Sequence, residues 1–218
     1  MTAFALLMAL TPVAAYLAIV GLVRWTGVAI VTTSAREIAA LAMAASGFLA
    51  IGPAQLFFPS SAALLVGPAV WLTLASLLAL VVTLIGILRQ PSLIVFGRTS
   101  QQTFPVLVDV CRELDPQLET SSDVAEVYLP SMRIRLRIDP SVGSDACRVT
   151  SFPRIDSIRF WQALLVGLRR GLGGQKRPRR FAGAVTLCIA VTLVLFPMLA
   201  GFADPVKLVG DFREWLFQ

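Results

Sequence analysis

The sequence predicts a membrane α-helical protein: four transmembrane helices, with a small α+β cytoplasmic domain inserted between helices 3 and 4. Three observations predict it. The 218 residues are 56% hydrophobic and 15% charged, with a mean hydropathy of +0.77, against about 25% charged residues in a soluble domain. Residues 3–23, 38–88 and 181–203 contain no charge at all. The charges that exist crowd into residues 89–180, which hold 15 of the 19 Lys+Arg and 9 of the 13 Asp+Glu, so this segment's net charge of +6 equals that of the whole chain.

Residues 1–88 are expected to hold transmembrane helices 1–3. Residues 3–23 are long enough to cross a hydrocarbon core of ~30 Å at about 1.5 Å per residue. Met1-Thr2-Ala3 lacks the basic side chains of a signal-peptide start, which favours a retained helix, kinked at Pro12. Arg24 and Trp25 mark its interface. Residues 26–37 read as a short polar connection. The uncharged run 38–88 exceeds one crossing and must fold back; Phe58-Pro59-Ser60-Ser61 is the natural break, giving spans near 36–57 and 62–88. Ala42, Ser46, Ala50 and Ala54 recur every fourth residue. They form a small-residue stripe suited to close helix packing in lipid.

Residues 89–156 read as the cytoplasmic α+β domain. Leu93-Ile94-Val95-Phe96 suits a strand. Thr99 and Gln102 have capping-box spacing, and Phe104, Leu107, Val108, Cys111 and Leu114 then follow helical spacing up to Asp115-Pro116. Residues 117–124 read as a polar loop and 126–129 as a strand. Met132-Arg133-Ile134-Arg135-Leu136-Arg137-Ile138 alternates without fault, the clearest strand signal in the chain. Residues 139–144 are turn-rich and 147–152 return as a strand.

Residues 157–180 are expected to form a basic amphipathic interfacial helix and linker. Ile158, Trp161, Leu164, Leu165, Leu168 and Leu172 share one face, flanked by arginines, a pattern suited to the cytoplasmic membrane surface or, alternatively, to packing on the sheet. Gly171-Leu172-Gly173-Gly174 reads as a linker back to the bilayer. Residues 169–180 hold six cations and no acid. A basic run abutting a span stays cytoplasmic, which orients the chain with both termini outside and residues 89–180 inside a bacterial plasma membrane. Residues 181–203 are transmembrane helix 4, and residues 204–218 a short interfacial helix.

The chemical vocabulary is sparse. The sequence contains no His, which removes the commonest general base and metal ligand. It has no P-loop, HExxH or GxSxG motif, and no CxxC pair among Cys111, Cys147 and Cys188. No Asp, Glu, Lys or Arg falls at mid-depth in a predicted span, where coupled transporters carry them. No catalytic residue, metal ligand or cofactor is expected.

The candidate contact residues are cationic. Arg133, Arg135 and Arg137 are expected on one face of one strand, joined by Arg148, as an anion-binding face. Trp161, Arg169, Arg170, Lys176, Arg177, Arg179 and Arg180 are expected at anionic headgroups. No aromatic residue interleaves with the strand arginines in sequence, so no nucleic acid is expected as partner. The functional expectation is a non-enzymatic membrane accessory or scaffold protein whose cytoplasmic domain docks a partner protein or anionic lipid. The alternative is a small transporter or channel subunit acting as a homo-oligomer.

Overall fold

The computed structural model describes residues 3–51, 69–140, 146–174 and 181–202, with 209, 210 and 213. Among these are six helices and one antiparallel sheet. The chain divides into two compact units: Met1–Gly21, Ile38–Ile85 and Ala184–Gln218 in the first, and Leu22–Glu37 with Gly86–Gly183 in the second.

The first unit is helical. Helices α1 (Ala3–Thr26), α2 (Ser34–Ile51), α3 (Ala69–Leu88) and α6 (Phe181–Phe202) supply its described residues. Two stretches, Phe4–Thr26 in α1 and Phe181–Leu199 in α6, are long and apolar enough to cross a membrane, and Leu72–Leu88 in α3 is a shorter apolar helix. α1 and α2 approach most closely at Gly47. A Cβ there would overlap the carbonyl oxygen of Met8 and lie 2.8 Å from that of Ala9. The buried face of α2 runs through Ala44, Gly47 and Ile51, in a different phase from the expected stripe. Ala42 and Ser46 are half-buried, and the Ser46 hydroxyl donates to the Met43 carbonyl. The Ala50 side chain and Ala54 lie outside the described residues, as do the expected turn at 58–61 and most of 204–218.

The second unit is a two-layer α/β structure. Six strands run β1 (Ile30–Thr33), β2 (Leu93–Phe96), β3 (Glu119–Ser121), β4 (Glu126–Leu129), β5 (Ile134–Pro140) and β6 (Ala146–Phe152). Their order across the sheet is β1-β2-β6-β5-β4-β3, antiparallel throughout. Helices α4 (Ser100–Leu114) and α5 (Ile158–Gly173) share a core with Leu93, Val95, Leu136, Ile138 and Val149. Alternation along the strands sends these residues to one face, which is why the helices cover one side of the sheet.

Two strands depart from the expectation. The connection at 26–37 contains β1, whose Thr33 pairs with Leu93, and the expected loop at 117–124 contains β3, which pairs with β4. The Thr99 N–H donates to Gln102 Oε1 at 3.3 Å, as the capping-box spacing predicts. α4 begins there and accommodates Pro105. Its buried residues are Thr103, Val106, Leu107, Val110 and Cys111, a different face from the predicted one because α5 packs on it as well as the sheet. That contact explains two glycines of α5, Gly167 and Gly171. A Cβ on Gly171 would strike Val106 Cγ1, and one on Gly167 would lie 2.5 Å from Val110 Cγ1. The expected linker at 171–174 is therefore mostly the last turn of a packed helix.

Candidate interaction surface

The face of the sheet opposite the α4–α5 core is built by register. Arg135 lies between Tyr128 of β4 and Phe152 of β6 as direct cross-strand neighbours; Arg137 lies between Glu126 and Thr150, and Asp139 opposite Arg148. Directly opposed residues share a face, so a row Tyr128–Arg135–Phe152 runs across three strands. The Arg135 guanidinium carbon sits 5.5 Å from the Tyr128 ring centroid, within cation–π range. Phe152 is 73% exposed.

This corrects two expectations. Arg133 is not on the strand. It closes the turn before β5, with φ +55 and its N–H bonded to the Pro130 carbonyl at 3.2 Å. The turn is held by Asp115, whose Oδ2 accepts from the Ser131 N–H at 2.9 Å while Oδ1 accepts from Gln117 at 3.1 Å. Hydrogen bonds to Ser131 lead the lowering of the Asp115 pKa below the ordinary carboxylate range. The second correction concerns the aromatics. They do interleave with the arginines, but from neighbouring strands. The alternation of Glu126-Val127-Tyr128-Leu129 already placed Tyr128 on the polar face; Phe152 needed the register.

The remaining arginines are drawn into the structure. Arg137 Nε lies 3.0 Å from Asp139 Oδ1, and Arg148 Nη2 lies 3.4 Å from Glu37 Oε2. Glu126 faces Arg137 across the β4–β5 ladder, so the face is of mixed charge rather than an anion-binding one. Arg169 donates from Nε and Nη2 to the Val31 carbonyl at 3.1 and 2.9 Å, while Arg170 is exposed.

Trp161 is not at a bilayer surface. It is 7% exposed, belongs to the sheet–helix core with Leu164, Leu168 and Leu172, and donates its indole N–H to the Ile155 carbonyl at 2.9 Å. The apolar face of α5 is used by the core, the alternative that an amphipathic pattern always leaves open. Lys176, Arg177, Arg179 and Arg180 lie outside the described residues.

Burial disfavours the thiolate form of the core cysteines. Cys111 and Cys147 are buried and unbridged. Burial pushes the Cys111 thiol up to about 12 and raises that of Cys147, whose S–H donates to Thr103 Oγ1 at 3.2 Å. Among the described residues no group of three His, Cys, Asp or Glu side chains is placed to hold a metal ion. No family model matches this chain, and neither a curated protein nor a solved structure matches it.

Proposed function

We propose that the chain is a multi-pass membrane accessory protein without catalytic activity. In this reading α1, α2, α3 and α6 cross the bilayer, both termini are outside, and the sheet-bearing unit is cytoplasmic and docks a partner protein on the sheet face opposite α4 and α5. The apolar windows of α1 and α6 support the membrane part, since only 22% and 17% of their residues are buried. A soluble core helix would bury most of such a window. The pairing of β1 with β2 supports the topology. It holds the α1–α2 connection and residues 93–96 in one sheet, hence on one side of any membrane, so an even number of crossings separates Thr33 from Leu93. The basic run at 169–180 then assigns that side to the cytoplasm.

The observation that carries the docking proposal is the Tyr128–Arg135–Phe152 row. Aromatic and arginine side chains dominate contact energy at protein interfaces, and the mixed charges around the row fix register and partner choice more than affinity. A photo-crosslinking residue in place of Phe152, in the full chain in native membranes, tests it. One discrete crosslinked species is expected, absent when the probe replaces exposed Gln101 and lost with Arg135→Gln. A probe at position 152 that captures nothing beyond the Gln101 control removes the docking face. An introduced Cys at Ser121 that reacts with an impermeant reagent in intact cells reverses the orientation.

A further inference from the structure

Some arginines of the sheet-bearing unit are held by acids. On the sheet face Arg137 pairs with Asp139 and Arg148 with Glu37. Arg24, Arg36 and Arg89 have no side-chain partner among the described residues. Each of these three stands where an apolar helix meets the unit: Arg24 in the last turn of α1, Arg36 in the first turn of α2, and Arg89 directly after α3.

The fold gathers these junctions at the β1–β2 edge of the sheet. The Ser34 N–H donates to the Ser92 carbonyl at 3.0 Å, beside the Thr33–Leu93 pair, so the start of α2 adjoins the segment that follows α3. The start of α6 meets the end of α1: a Cβ on Gly183 would lie 2.5 Å from the Trp25 nitrogen and 2.8 Å from the Arg24 carbonyl carbon. The same junctions expose apolar side chains. Phe181 is 84% exposed and Trp25 38%, with Val28 and Ile30 also exposed.

Guanidinium groups without a side-chain partner among the described residues, at the ends of apolar helices and with exposed Trp25 beside Arg24, match the zone where acyl chains give way to headgroups. We propose that Arg24, Arg36 and Arg89 form a collar that binds the phosphate of anionic phospholipid headgroups. This rests on the membrane reading above. Guanidinium binds phosphate through paired N–H donors, and the anionic cytoplasmic leaflet adds a long-range attraction. The anion-binding surface of the protein is thus the helix collar, and the sheet arginines serve another contact.

The test is the full chain reconstituted in phosphatidylcholine vesicles, with electron paramagnetic resonance of spin-labelled phosphatidylglycerol or phosphatidylcholine. The protein is expected to prefer the anionic label severalfold. The preference should fall in Arg24→Gln/Arg36→Gln/Arg89→Gln, which keeps the basic run at 169–180, and stepwise in the three single variants should the triple fail to fold. It should survive in Arg135→Gln/Arg137→Gln/Arg148→Gln. A ratio near one in the native chain, a preference that survives loss of the collar, or one lost with the sheet arginines overturns the collar. Stabilisation of the protein by inorganic phosphate in neutral vesicles also overturns it, by assigning the arginines to a soluble anion. A chain that does not enter vesicles overturns the membrane reading and the collar together; a chain that enters but shows no preference overturns the collar alone.

Discussion

Arg169 grips the backbone of an edge strand: its Nε and Nη2 both donate to the carbonyl of Val31, at 3.1 and 2.9 Å. β1 lies at one end of the sheet, with β2 as its sheet neighbour. The fork therefore ties that edge strand to α5. A charged donor to a backbone acceptor contributes on the order of 1 kcal/mol or somewhat more. Arg169→Ala is expected to lower unfolding stability by about that much, and Arg169→Lys to recover part of it, since a lysine lacks the planar fork. Denaturant unfolding followed by tryptophan fluorescence, with Trp25, Trp71 and Trp215 replaced by Phe so that Trp161 reports, measures both. An Arg169→Ala protein as stable as the parent would show the contact to be inconsequential.

Gly47 predicts an asymmetry between glycines in apolar helices. A methyl at Gly47 would overlap backbone atoms of α1, while a methyl at Gly86 has nothing within 4 Å. Gly47→Ala should force α1 and α2 apart and lower the thermal midpoint of the purified protein by several degrees. Gly86→Ala should leave it unchanged or raise it, because Gly is roughly 1 kcal/mol worse than Ala inside a helix. Equal midpoints for the two variants would mean that the α1–α2 contact is not tight.

Asp115 predicts an acid-sensitive contribution to stability. Its folded pKa is lowered, led by hydrogen bonds to Ser131, so the fold favours the ionised carboxylate. That contribution is complete above the ordinary aspartate value of about 3.9 and is lost as pH falls through the lower folded value. Asp115→Asn should be less stable than the parent at pH 7, with the gap narrowing below about pH 4. A gap that is independent of pH would assign the loss to shape rather than charge.

The buried thiols predict the opposite sign. The Cys111 pKa rises from 9.0 to about 12 in the folded chain, so folding favours the neutral thiol. That contribution is complete below 9.0 and is lost as pH rises toward about 12. Maleimide at pH 7 should modify Cys111 and Cys147 only as fast as the unit opens, because the thiolate is the reactive form. Labelling at the rate of a free thiol in the native protein would contradict the burial.

How much of this was legible in the sequence depended on whether the signal was local. β5 was, because Ile134, Leu136 and Ile138 alternate with polar residues, and so was the start of α4, because Thr99 and Gln102 cap within one turn. β1 was not. Its four residues, Ile30 to Thr33, carry no alternation, and its partner lies beyond α2 and α3. α5 was read correctly as an amphipathic helix and assigned the wrong neighbour, because a periodic apolar face says that something covers it and not what. Gly171 resembled a linker residue because its packing partner, Val106, is far away in sequence. The stripe from Ala42 differs from the phase that meets α1 at Gly47, and composition alone does not separate the two in a helix rich in small residues.

The β1–β2 pair has a consequence for biosynthesis. Thr33 leaves the ribosome some 60 residues ahead of Leu93, its partner in the ladder. An early strand thus waits, unpaired, while the whole of α2 and α3 is made. Loop closure over that distance costs entropy that only the finished ladder offsets. If α2 and α3 cross a membrane as proposed, the edge of the sheet forms only after the chain has returned to the side it left. On that proposal, completion of the sheet reports that both crossings have been made. A chain in which α3 emerged on the opposite side would be unable to pair β1 with β2 and would present both as open edges to the quality-control machinery of the cell.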